Sequence, residues 1–193
     1  INLSVIRLSD QTTVYTTSFP QGSEPQWGFS PDDDRFVTHY TTGTSPTSVR
    51  NLALIDLTKS SNNQIWTLAF STMSDRIGFT DHSRYLYYYA VYGSNQAHLE
   101  IVDARTGDIA YVTDFIYSGS SGNGKFGMAT WGFSPDSLDR TFAYAYLSSP
   151  SYIQWNLVNL QTGTVVQNLP ILAISGFWQF SPCGDVAGIL TQP

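Results

Sequence analysis

The chain has 193 residues, 12% of them charged, and its 15 acidic and 9 basic side chains leave a net charge of −6. Seven Arg and two Lys, spread without a cluster, exclude a nucleic-acid or phosphate binder, and 41% hydrophobic residues exclude a disordered chain. Glutamate and lysine occur only as Glu24, Glu100, Lys59 and Lys125 against 13 aspartates, so charged helix formers are scarce and a turn former is abundant, which argues for β structure.

The strands are read in chain order from apolar alternation bounded by turn residues. Residues 2–8 and 12–17 form a first pair around Ser9-Asp10-Gln11. Residues 27–30, 35–42, 51–58 and 65–70 follow, the first two joined by the tight turn Pro31-Asp32-Asp33-Asp34. The next four are 77–80, 84–92, 98–104 and 109–113, with Arg105-Thr106-Gly107-Asp108 supplying a glycine where a hairpin needs positive φ. Residues 131–134, 141–148, 153–160 and 165–169 repeat the pattern with a Thr162-Gly163 turn, and 177–181 and 186–191 end the chain.

These groups are copies of one unit. Trp27-Gly28-Phe29-Ser30-Pro31-Asp32, Ile77-Gly78-Phe79-Thr80-Asp81, Trp131-Gly132-Phe133-Ser134-Pro135-Asp136 and Trp178-Gln179-Phe180-Ser181-Pro182 align on their Phe, with spacings of 50, 54 and 47 residues. A near-constant period of this length signals the blades of a β-propeller, each a four-stranded antiparallel sheet. The expected fold is therefore all-β: one propeller domain over residues 1–193, with blades at 26–70, 71–129 and 130–175. A fourth blade is assembled from the halves 1–25 and 176–193, so residues 2–8 are expected to pair with 186–191 and close a monomeric ring; a ring shared with a second copy is the alternative. Trp27, Trp131 and Trp178 lie two residues before their Phe, on one strand face, with Gly28, Gly132 or Gln179 on the other; all three Trp are expected in the core between blades.

The Phe-Ser-Pro-Asp turns, together with Gly184-Asp185 and Asp103-Ala104-Arg105-Thr106-Gly107, resemble the TolB-like and WD-repeat-like propeller families over essentially the whole chain. The second unit departs from the pattern with Thr80-Asp81, and no Trp-Asp dipeptide ends the third strands. The resemblance implies a fold that hosts unrelated functions.

His39, His82 and His98 share no metal-ligand spacing, Gly119-Ser120-Ser121-Gly122 is not a nucleophile elbow, and Asp32-Asp33-Asp34 reads as a turn rather than a calcium loop. The single Cys183 excludes an intramolecular disulfide and a cysteine metal cluster. No catalytic residue, cofactor or metal ligand is therefore expected, and the chain reads as a non-enzyme. The loops linking blades and those joining second to third strands fall on one end of the disc, where Phe19, Tyr92, Phe115, Tyr117, Phe126 and Tyr152 form a candidate binding face. Such rings among small polar residues suit a protein partner or, alternatively, a glycan, and equally suit capping of the blades. A propeller segment of a larger enzyme is a third expectation. The start at Ile1 suggests a removed signal or a segment of something longer, and few lysines beside 43 Ser and Thr suggest an extracellular or periplasmic surface. No window approaches a membrane span of about 18 apolar residues.

Overall fold

In the computed structural model the described residues are 1–43, 49–59, 63–71, 74–92, 96–116, 128–136, 138–149, 152–172, 178–182 and 187–189. Every described regular element is a strand. The hairpin β1 (Asn2–Arg7) and β2 (Thr12–Ser18) is followed by three sheets of four: β3 (Gln26–Phe29), β4 (Arg35–Thr42), β5 (Val49–Asp56) and β6 (Gln64–Ser71); then β7 (Ser74–Phe79), β8 (Tyr85–Tyr92), β9 (Gln96–Asp103) and β10 (Ile109–Ile116); then β11 (Met128–Phe133), β12 (Thr141–Ser149), β13 (Tyr152–Asn159) and β14 (Thr164–Leu172). The short pair β15 (Trp178–Phe180) and β16 (Ala187–Ile189) ends the series. Each sheet is an antiparallel meander in sequence order, the blade of a propeller. No helix among the described residues is long and apolar enough to cross a membrane.

Alternation along the strands gives each blade two apolar faces, and neighbouring blades press these together. Val37, Leu52, Leu54 and Trp66 of the first blade meet Leu86, Tyr88, Ala90 and Val102 of the second. Tyr85, Tyr89, Leu99, Ile101 and Phe115 of the second meet Phe142, Tyr144 and Val158 of the third. Leu54, Leu86, Leu99 and Ile101 have no exposed surface, and burial of each contributes roughly 2 kcal/mol.

Two turn devices repeat from blade to blade. In the turn after the first strand, Asp33, Ser83 and Asp139 take positive φ of 61°, 59° and 46°, short polar residues in the left-handed region that otherwise favours glycine. From that position the side chain reaches back to the turn of the preceding blade. Ser83 Oγ accepts a bond from the Asp32 amide at 3.0 Å, and Asp139 Oδ1 lies 3.0 Å from His82 Nδ1. The second device is the turn between third and fourth strands, where Gly107 (φ +81°) and Gly163 (φ +66°) lie against Ile65 and Ala110, each on the fourth strand of the preceding blade.

Two expectations are corrected. Among the described residues the 2–8 segment does not pair with 186–191: β1–β2 and β15–β16 are separate two-stranded sheets. Each is held by its own neighbour. Leu3, Val5, Val14 and Tyr15 pack on Phe36, Ile55 and Leu57 of the first blade, while Phe180 packs on the Ala143, Ala145, Ile153 and Trp155 face of the third. Trp27, expected in the core, is 54% exposed, and Phe29 beside it 48%. The hairpin β1–β2 covers the middle strands β4 and β5 of the first blade and leaves Trp27 and Phe29 of the inner strand β3 open.

Candidate functional site

Of the aromatic face expected at the loop end, two rings turn inward. Phe19 and Phe115 are buried, at 5% and 7% exposure. Phe19 packs edge-on against Tyr40 at 5.4 Å, and Phe115 stacks on Tyr146 at 4.6 Å, so both rings cap the blades. Tyr92 is half-buried, sits edge-on to Phe70 and donates its hydroxyl to Asp114 Oδ1 at 3.1 Å. Tyr152 is open to solvent at 47% exposure. Tyr117 and Phe126 lie outside the described residues.

The opposite end, formed by the turns after the first strands, holds a cleft of about 260 Å³ between the second and third blades. Phe79, Tyr87, Trp131 and Phe133 line it with aromatic surface, and Asp81, His82, Ser134 and Asp139 supply its polar groups. Tyr87 is the central wall. Its ring meets Trp131 at 4.3 Å in a T-shaped contact and Phe133 at 5.9 Å. It reaches them by lying over Gly78, its cross-strand partner, where any Cβ would stand 2.5 Å from the Tyr87 hydroxyl. The Trp-Gly-Phe spacing thus places a flat aromatic surface from one blade against a glycine-relieved surface of the preceding one.

The polar groups give the cleft its sign. Asp139 is 2% exposed; its Oδ1 holds His82, while Oδ2 is buried and has no hydrogen-bond partner among the described residues. The bond to Asp139 raises the His82 pKa above the ordinary imidazole value, outweighing the opposing effect of burial. Asp81 is exposed beside it. Two carboxylates thus face one titrating imidazole, next to rings whose π faces attract cations.

A second polar cluster sits at the interface of the first and second blades. His98 Nε2 lies 3.2 Å from Glu100 Oε2 and its Nδ1 2.9 Å from Asp114 Oδ1, while Trp66 donates Nε1–H to Glu100 Oε1 at 3.1 Å. The imidazole stacks on Phe70 at 4.7 Å. Burial lowers the His98 pKa, but the bonds to Glu100 and Asp114 outweigh it and the net shift is upward. Glu100 is 4% exposed. Sequence spacing concealed this group, although His98 and Glu100 share a strand face two residues apart.

The aspartate run behaves as a turn. Asp32 Oδ1 accepts from Ser30 Oγ at 2.6 Å and from the Asp34 amide at 3.2 Å. Burial works against its charge, yet these bonds hold the carboxyl below its usual range. Among the described residues no group of three or more His, Cys, Asp or Glu is placed to hold a metal ion.

No family model and no curated protein sequence matches the chain. Among solved structures it is similar to a eukaryotic initiation factor, with 15% identity over 89% of this chain and 42% of that chain and a TM-score of 0.50. It is also similar to a dipeptidyl aminopeptidase IV candidate from Bacteroides ovatus ATCC 8483, 12% identical over 98% of this chain and 33% of that one, with a TM-score of 0.51. TolB from Acinetobacter baumannii is 16% identical, with 95% of this chain and 41% of that chain covered and a TM-score of 0.40. The chain spans less than half the length of each of these proteins. At such identities the likeness is one of fold, and the fold is the propeller.

Proposed function

We propose that this chain is a noncatalytic propeller module, with blades of the TolB-like type, that binds a protein partner through a cationic side chain. The observation that carries this reading is the cleft between the second and third blades. An aromatic wall of Tyr87, Trp131 and Phe133 stands beside Asp81 and a buried Asp139 whose Oδ2 has no partner among the described residues. A lysine or arginine head fits a space of about 260 Å³. There it gains ring contact and the field of two carboxylates in a site with reduced solvent screening. The net charge of −6 favours the approach of a basic partner. The few lysines of the surface fit an extracellular or periplasmic setting.

Titration of a tetra-arginine peptide against the chain tests this reading, with tetra-glutamine as control. Asp81→Asn is expected to weaken tetra-arginine binding about tenfold, because one of two attracting charges is lost at an exposed position. Affinity is expected to rise with pH through the raised His82 pKa, since protonated His82 neutralises Asp139 and competes with the incoming cation; His82→Gln flattens that rise. Equal binding of both peptides sinks the reading. If Tyr117→Ala with Phe126→Ala abolishes partner binding while Asp81→Asn leaves it intact, the loop end is the binding face; a glycan array tests the carbohydrate alternative there.

A second reading makes the chain the propeller segment of a larger enzyme. It draws on the likeness to the peptidase candidate, of which this chain spans one third. The full-length gene decides between the two.

A further inference from the structure

The two flanks of the blade stack are each half covered, and the missing halves differ. At the first flank β1–β2 shields Phe36 and Ile55 but leaves Trp27 and Phe29 of the inner strand exposed at 54% and 48%. A cleft of about 420 Å³ lies between Val5, Ile6, Leu8 and Val14 on one side and Phe29 and Leu57 on the other. In the interior blades the equivalent rings are packed, with Trp131 and Phe133 against Tyr87. At the other flank β15–β16 shields Ala143, Ala145 and Trp155 through Phe180 and leaves Leu169, the cross-strand partner of Trp155 on β14, 36% exposed. The first flank lacks an inner pair of strands, and the last lacks an outer pair.

The chain carries both missing pieces. Blades run from inner to outer strand in sequence order, so β15–β16 is an inner pair and β1–β2 an outer pair. Among the described residues β1 pairs only with β2 and β16 only with β15, leaving one edge of each open. The face of β15–β16 turned away from Phe180 presents the cross-strand pair Gln179 and Gly188, with Gln179 exposed. This is the pair Gly28 and Val37, or Gly132 and Ala143, of complete blades, where a small residue lets the next Trp and Phe approach; here Gln179 stands at the glycine position and the small residue is its partner Gly188. It therefore suits Trp27 and Phe29. Within one copy β15–β16 is seated on the third blade and, among the described residues, does not pair with β1.

We propose that two copies of this chain close into one ring by joining their ends. The pair β15–β16 of each copy seats on the Trp27 and Phe29 flank of the other and continues its sheet along β1, so two composite blades form and the ring has eight. The contact is head-to-tail and made twice, so it closes on a twofold axis. Eight blades lie within the usual range, and both open edges are removed. The proposal is independent of the cation cleft, which lies between two complete blades of one copy.

Light scattering of the 193-residue chain across a wide concentration range tests it. The expected mass is twice 21.4 kDa. Trp27→Asp is expected to return the mass to 21.4 kDa with the far-UV circular dichroism unchanged, because Trp27 is exposed in a single copy; Trp27→Phe keeps the dimer. A mass of 21.4 kDa at every concentration overturns the proposal, including the case in which one copy closes on itself and shields Trp27 from quenchers. A mass that grows without limit shows an open filament and overturns it as well. A dimer that survives Trp27→Asp places the interface elsewhere and has the same effect.

Discussion

Gly107→Ala is expected to lower the stability of the chain by about 4 kcal/mol, and the melting temperature by roughly 10 °C. Two costs combine at this position. Gly107 has φ of +81°, where a side chain costs about 1–2 kcal/mol of strain. Its missing Cβ faces the backbone of the preceding blade, and an added methyl would run into the Ile65 carbonyl oxygen. Because the obstacle is backbone in a packed strand, relief requires the blades to part, at a further ~1–3 kcal/mol. The comparison set makes the interpretation sharp. Gly163 occupies the same turn one blade later, with φ of +66° and the Ala110 oxygen 2.9 Å from an ideal Cβ, so Gly163→Ala is expected to cost less. Gly22 has φ of +81° with nothing within 4 Å and isolates the strain alone, about 1–2 kcal/mol. Urea unfolding of the three variants is expected to rank them Gly107, Gly163, Gly22. An effect at Gly107 no larger than at Gly22 contradicts the assignment of this turn as an inter-blade joint.

That joint illustrates what the sequence makes legible. Thr106-Gly107 and Thr162-Gly163 announce a positive φ because little else explains a glycine between two alternating strands, and the spacing of the anchor Phe residues announces the blade period. Both are local signals. The joints themselves are not local: Ser83 meets Asp32, and Asp139 meets His82 57 residues earlier. No periodicity encodes that contact, because it depends on which blade follows which in space. Phe19 and Phe115 depart from the expected exposure for a related reason. Alternation cannot distinguish a Phe that crowns a blade, as Phe19 and Phe115 do, from one that meets solvent. Trp27 fails in the opposite direction, since its motif matches Trp131 residue for residue and only the uncovered inner strand exposes it.

His98→Phe is expected to destabilise the chain by about 3–5 kcal/mol and to remove most of the decline in stability as the pH rises through neutrality. The imidazole has a carboxylate on each nitrogen, Glu100 on one and Asp114 on the other, so only the imidazolium can donate at both ends. Replacement by Phe keeps the stack on Phe70 but leaves Glu100, 4% exposed, with the bond from Trp66 and without its cation. A buried carboxylate without its cation is the costly half of a broken pair. The pH dependence follows in sign. His98 has a folded pKa raised above 6.5, so its contribution is fully present below pH 6.5 and is lost as the pH rises through the folded value; His82 acts in the same direction. Asp32, Asp56 and Asp136 have lowered folded values, so their contribution is present above 3.8 and is lost on acidification through those values. Stability measured by urea unfolding is therefore expected to peak between the two limbs, and His98→Phe is expected to flatten the upper one. The double variant His98→Leu with Glu100→Leu separates charge from packing. Removing both partners is expected to recover part of the lost stability, because no buried carboxylate is left without its cation, while the Trp66 N–H loses its acceptor at a cost of about 1–3 kcal/mol. If the double variant is as unstable as the single one, His98 acts through packing against Phe70 and Tyr88 rather than through its charge.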